Sequence, residues 1–198
     1  MFNKVNQEVY VPDGTNIEEA LSRTTHLAIA AHQDDIEIMA IDGILQGFKN
    51  PGVYFSGCVV TDGRGSPRAG KFGHVSDDDM AKIRIEEQKA AARLGKYSAQ
   101  VFLGYPSARV KNPAELVVVD DLTTLFKSTQ PQIIYTHNPA DKHTTHVAVV
   151  LRVIQALRNL PKGIRPEKVY GCEVWRNLDW LPDEIKTVFD VSAEPELQ

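Results

Sequence analysis

Apolar positions fall into two alternating rhythms along the chain. Short, largely apolar runs at residues 26–31, 53–61, 101–103, 132–136 and 168–174 read as strands, the first of them buried. Between them, apolar side chains recur three and four positions apart, the spacing of one helix face. One helix is expected through Ile36, Ile38, Met39, Ile41, Ile44 and Leu45. A second begins at Ser76, where Asp79 three residues on completes a start of capping-box type, and stops at Gly95, with Met80, Ile83, Ala91 and Leu94 inward. A third covers about residues 143–160 and carries Val147, Val150, Leu151, Ile154 and Leu157. Strands alternating with helices imply parallel pairing, right-handed crossovers and a sheet covered on both faces.

Composition adds limits rather than a function. The chain has 198 residues, 42% hydrophobic and 24% charged, the balance of an ordinary globular protein, and a single domain spanning residues 1–198 is expected. A net charge of −4 lacks the basic excess of a general nucleic-acid binder. No apolar stretch approaches the roughly 20 residues that cross a bilayer, and the first residues lack the apolar core of a signal peptide. The two cysteines, Cys58 and Cys172, stand in strand-like runs and read as reduced core residues, so a cytoplasmic location is expected.

In doubly wound sheets, sites form beyond the carboxyl ends of the strands. Directly after the first predicted strand comes Ala31-His32-Gln33-Asp34-Asp35, and directly after the fourth comes His137-Asn138-Pro139-Ala140-Asp141-Lys142-His143-Thr144-Thr145-His146, with three of the six histidines. The spacing from His143 to His146 at a helix opening points both rings to one side. His32, Asp35 and His146 make a ligand set of two imidazoles and one carboxylate, common for catalytic zinc. Asp34 and His143 are left to supply the base and the acid of a hydrolysis. An Asp-Asp pair alone reads as a helix cap, and a lone His pair as surface or core. Their joint placement after strands favours a metal.

These residues resemble the LmbE-like or PIG-L-type zinc-dependent N-acetylglucosamine deacetylases. That family has an Ala-His-Pro-Asp-Asp turn and a later His-x-x-His motif. Thr61-Asp62-Gly63, Arg84-Ile85-Glu86-Glu87, Ala91 to Gly95 and Leu103-Gly104-Tyr105-Pro106 are similar as well, so the likeness spans about residues 26–192. The resemblance implies a Rossmann-like three-layer α/β/α sandwich with a mostly parallel sheet. It implies His32, Asp35 and His146 as zinc ligands, Asp34 as general base, and His143 as the group that protonates the leaving amine or steadies the oxyanion. It further implies Arg84 beside the substrate pocket, an N-acetylated amino sugar or its conjugate as substrate, and a homo-oligomer. Two histidines and one aspartate also accept iron, cobalt or manganese. Gln33 replaces the family's usual proline, and Ile36 to Met39 replace a more glycine-rich helix start. Many members continue past a strand resembling residues 188–192 into a closing segment, which this sequence is expected to lack.

Two rival readings remain. Gly65 to Lys71 fits the Gly-x4-Gly-Lys core of a phosphate-binding loop, but Phe72 stands where a magnesium-binding Ser or Thr belongs and the Ser76 cap starts the helix too late. The same loop also reads as a basic lip, with Arg64, Arg68 and Lys71 facing the substrate, and Asp62 and Arg64 are substrate-binding candidates. A non-catalytic carbohydrate-binding protein on the same fold is the other rival. Trp175 and Trp180 read as packing or as a sugar platform. His137 reads as a partner behind the metal ligands or as a strand-end hydrogen bond.

Overall fold

The apolar runs pair into one six-stranded sheet. The computed structural model describes residues 7–192, in which the strands are β1 (Glu8–Tyr10), β2 (His26–Ala30), β3 (Phe55–Thr61), β4 (Ala99–Tyr105), β5 (Ile133–His137) and β6 (Lys168–Cys172). Their order is β1-β4-β3-β2-β5-β6, with only the β1 edge antiparallel. Seven α-helices connect them among the described residues: α1 (Ile17–Ser22), α2 (Asp35–Met39), α3 (Ile41–Lys49), α4 (Asp77–Leu94), α5 (Ser107–Lys111), α6 (Val117–Thr129) and α7 (Thr144–Arg158).

Alternation along each central strand builds two cores. Leu27 and Ile29 of β2 join a cluster with Ala20, Leu122, Phe126, Val149 and Val153, so α1, α6 and α7 cover one face. Ala28 and Ala30 join Ile36, Met39, Ile44 and Ala92, so α2, α3 and α4 cover the other. The result is a three-layer α/β/α sandwich, as expected. Cys58 lies inside the first core and Cys172 is half-buried; both are free thiols. None of the helices among the described residues is long and apolar enough to cross a membrane.

Five details depart from the sequence reading. The helix expected through Ile36 to Leu45 is two helices, because Ala40 (φ −124°, ψ 23°) breaks the helical path between α2 and α3. Helix α4 turns Met80, Gln88 and Ala92 inward, while Leu94 is exposed. Helix α7 likewise buries His146, Val149, Val150, Val153 and Ala156, leaving Leu151 outside. The short β1 and the helices α1, α5 and α6 escaped the apolar-run reading altogether. Residues 188–192 form no strand; Phe189 instead packs on Tyr170, ring centroids 5.1 Å apart.

Helix α3 approaches the sheet through Gly43. A Cβ there would lie 2.6 Å from Tyr135 Cε2 and 3.0 Å from Phe55 Cε2, inside two buried rings. Gly43→Ala is expected to lower stability by about 1–3 kcal/mol through overpacking. Urea denaturation checks this, and an unchanged midpoint would show that α3 can lift without cost.

Candidate active site

Strand order reverses at β2: the chain leaves β2 toward β3 on one side, and β5 pairs with it on the other. The β2–β5 register runs from His26 opposite Ile133 to Ile29 opposite Thr136, so the turns after the two strands open side by side. Beyond the paired residues the Ala31 N–H donates to His137 Nε2 at 2.8 Å and ties the strand ends together.

The first turn bends sharply. Asp34 adopts the left-handed region at φ 78°, ψ −25°, which costs an L-residue roughly 1–2 kcal/mol. Helix α4 holds it there. The Asp34 N–H donates to Gln88 Oε1 at 3.2 Å, and Arg84 Nη2 donates to Asp34 Oδ2 at 2.6 Å and to the Gln33 carbonyl at 2.7 Å. The bend turns Asp35 inward, 2% exposed, while Asp34 stays open to solvent. The second turn is organised by Asp141. One oxygen accepts the His143 N–H at 2.8 Å, and the other meets His146 Nδ1 at 2.9 Å, leaving His146 Nε2 to face the first turn.

Three donor atoms then converge. His32 Nδ1 lies 3.3 Å from Asp35 Oδ2, His146 Nε2 lies 3.4 Å from the same oxygen, and the two nitrogens are 3.2 Å apart. Donors at about 2.0–2.2 Å from a tetrahedral metal are about 3.3–3.6 Å from one another, so the triangle fits such an ion with little rearrangement. His137 Nε2 also lies 3.4 Å from Asp35 Oδ2 and belongs to a possible ligand group with Asp35 and His146. Its lone pair, however, accepts the Ala31 N–H, and the ring stacks on His146 at 3.9 Å between centroids. His137 is therefore both a strand-end bond and a backing plate for His146. His143 stands edge-on to His32, centroids 5.0 Å apart, and can approach the same centre.

Electrostatics agree with a site prepared for a cation. Burial alone would raise the Asp35 carboxyl, but the neighbouring His137 and His32, and then the charges of His137 and His146, hold it well below the usual carboxylate range. Burial, reinforced by His137, pushes His146 down to about 4 against the pull of Asp35 and Asp141, so its imidazole is neutral at pH 7. His143 is lowered by burial and by His32. Asp141, although burial opposes it, is lowered by the His143 N–H and by His146.

A cavity of about 700 Å³ opens over this centre. His32, Asp34, Asp35, Arg84, His143 and His146 all line it, and so does Trp175, half-exposed on its rim. Asp62 and Arg64 do not line it. They pair with each other at 2.7 Å, and Arg64 also reaches Asp78 at 3.4 Å. Arg68 likewise pairs with Asp77 and donates to backbone carbonyls, and Lys71 sits over the Phe72 ring. The basic lip thus commits its cations to its own loop and to the first residues of α4, and presents Gly63, Gly65, Ser66, Pro67 and Phe72 to the cavity. Trp180 lies outside the lining. Two residues with clear contacts went unassigned in the sequence: Asp141, whose signal is a carboxylate five positions before His146, and Gln88, one turn after Arg84 on α4.

Fold and site together define a doubly wound α/β protein with a candidate metal centre at its switch point. The profile of the GlcNAc-PI de-N-acetylase (PIG-L) family matches residues 27–157, and the chain belongs to that family. A protein of Escherichia coli described as an uncharacterized deacetylase, YaiS, is 28% identical over 160 residues, covering 77% of this chain and 78% of its own. The structure of N,N'-diacetylchitobiose deacetylase from Pyrococcus horikoshii is 24% identical, with a TM-score of 0.55 over 68% of this chain and 49% of that one. GalB of Pseudomonas putida, a 4-carboxy-2-hydroxymuconate hydratase, has a TM-score of 0.56 at 17% identity over 72% of this chain and 60% of its own. The chain therefore spans about half to three fifths of these two solved structures. A deacetylase and a hydratase share the fold, so the fold alone does not choose the reaction.

The depressed His146 pKa carries a sign. Between about pH 4 and the unperturbed value near 6.5, the unfolded chain binds a proton at His146 that the folded chain does not. The stability contributed by neutral His146 is thus present above pH 6.5 and is lost as pH falls through about 4. Thermal denaturation of metal-free protein should show the loss over that window, and His146→Phe should flatten it. An unflattened profile would move the titration to another group.

Proposed function

We propose that this protein is a zinc-dependent N-deacetylase acting on an N-acetylated amino sugar or its conjugate. The observation that carries the reading is the triangle of His32 Nδ1, Asp35 Oδ2 and His146 Nε2, 3.2–3.4 Å on a side, beneath a cavity that also holds the Asp34 carboxylate. Family membership and the deacetylase relatives support the amide-hydrolysing chemistry. His32, Asp35 and His146 would hold the ion, and another divalent metal such as Fe²⁺ suits the same donors. When bound, zinc polarises the acetamide carbonyl and lowers the pKa of water from 15.7 toward about 7.

The remaining work belongs to side chains. Asp34 accepts a proton from the attacking water as its oxygen bonds to the acetamide carbon. His143, neutral at pH 7 because burial and His32 lower it, donates an N–H to the developing oxyanion. Asp34 then delivers the proton it took from the water to the departing nitrogen. The carbon–nitrogen bond breaks, acetic acid and a free amine leave, Asp34 is again a carboxylate, and His143 keeps its N–H throughout. Asp141 keeps His146 directed at the centre and fixes the backbone from which His143 projects.

Asp34→Asn should retain one zinc per chain and lose about 10²–10⁴-fold in turnover. His146→Ala should lose the zinc itself. Metal analysis with acetate release from N-acetylglucosamine and N,N'-diacetylchitobiose checks both, and hydrolysis retained in Asp34→Asn would remove Asp34 from the base role. Zinc bound without amine release from any acetylated probe would favour the carbohydrate-binding alternative.

A further inference from the structure

Behind Asp34 runs a polar chain that no step above uses. Tyr97 is 2% exposed, its ring edge-on to Phe55 at 4.7 Å in the second core. Its hydroxyl donates to Glu37 Oε1 at 2.7 Å. The same oxygen accepts Gln88 Nε2 at 2.7 Å, and Gln88 Oε1 accepts the Asp34 N–H at 3.2 Å. Gln88 itself is 2% exposed.

The order of donors leaves the Gln88 carboxamide one orientation. Burial raises the Glu37 carboxyl, yet whether or not that group carries a proton on Oε2, its Oε1 remains an acceptor for two donors. The NH₂ end of Gln88 must therefore face Glu37, and its carbonyl must face the Asp34 N–H. A flipped amide would set oxygen against oxygen at one end and N–H against N–H at the other. The chain is thus a rigid strut from the core ring of Tyr97 to the left-handed backbone of Asp34. Arg84, one helical turn earlier on α4, holds the Asp34 carboxylate and the Gln33 carbonyl.

We infer that Gln88, locked by Glu37 and Tyr97, is the positioning residue that fixes the Asp34 backbone and so aims its carboxylate. The inference rests on the proposed role of Asp34 for its catalytic consequence, but not for its structural one. Arg84 holds the carboxylate and the carbonyl side of the Gln33–Asp34 peptide, and Gln88 holds the N–H side of that same peptide, the side from which the Asp34 Cα follows.

The test has two readouts. In amide hydrogen exchange followed by NMR, Gln88→Met should speed exchange at Asp34 about tenfold, and Tyr97→Phe, which keeps the ring, several-fold. For the zinc-loaded protein, acetate release from N,N'-diacetylchitobiose should fall between ten- and a hundredfold in kcat in Gln88→Met, with KM within about twofold and zinc stoichiometric. In an Asp34→Asn background Gln88→Met should add no further loss. Unchanged Asp34 exchange in both variants overturns the strut. So does zinc lost from Gln88→Met, which would make the glutamine a support of the ligand turn, or a kcat loss of equal size in the Asp34→Asn background. Full turnover in Asp34→Asn with the exchange effect intact would sink the base assignment and leave the strut standing.

Discussion

The parallel pairing of β2 with β5 is the contact on which the site depends. In a doubly wound sheet the connections after two neighbouring strands leave toward opposite faces where the order reverses, which opens a crevice at their carboxyl ends, and here the reversal lies between these two strands. Residues more than a hundred positions apart become neighbours because their strands share a ladder. The Ala31 N–H, two residues beyond the segment of β2 paired with β5, bonds to His137 rather than to backbone. A side chain therefore closes the ladder at the point where the next residue on each strand must turn into the site.

That requirement propagates into the helices. His146 must point at the sheet end, and α7 can rotate only as one body, so its inward stripe starts at His146 and continues through Val149, Val150, Val153 and Ala156. On the other face Gln88 must reach the Asp34 turn, which brings Met80 and Ala92, eight residues before and four after, into the core and leaves Leu94 in solvent. Gly43 marks how closely the neighbouring α3 lies on Tyr135 and Phe55. Site geometry thus sets helix phase, and packing adapts to it.

This explains which features the sequence displayed and which it concealed. Strand cores are legible because burial on both faces leaves uninterrupted apolar runs, and the two strand-end motifs are legible because a His and two Asp after such a run have no packing purpose. Helix faces were misjudged for the opposite reason. The stripes of α4 and α7 contain Gln88, His146 and Arg152, polar residues that an apolar count assigns to solvent. Helix α6 hides similarly, since its buried face includes Asp121 and Thr129, the former bonded by the Tyr105 hydroxyl at 2.5 Å. The roles of Asp141 and Gln88 were beyond reach because each acts by a hydrogen bond across a turn, and spacing does not show which backbone N–H or ring nitrogen it meets.

The ion pairs around the cavity bear on where recognition can arise. Arg84 was expected beside the substrate, and it does line the cavity. Yet Nη1 is engaged by Glu87 at 2.5 Å, Nη2 by Asp34 and the Gln33 carbonyl, and Nε is buried. Burial would lower its pKa, but Asp34 and then Glu87 more than offset this, as befits a cation already surrounded by anions. A substrate hydroxyl or phosphate competing for Arg84 would have to displace the Asp34 carboxylate at 2.6 Å. Charge recognition at that position would therefore oppose the base role proposed for Asp34. The cations of the loop after β3 are committed as well, Arg64 to Asp62 and Arg68 to Asp77. Beyond the candidate metal centre the cavity offers the side chains of Ile38, Phe72, Ile83 and Trp175, with Ser107 and Lys111, the first and last residues of α5. On the proposed deacetylase reading, shape and apolar contact on that wall, rather than a clamp of paired charges, are the means of distinguishing one acylated amine from another.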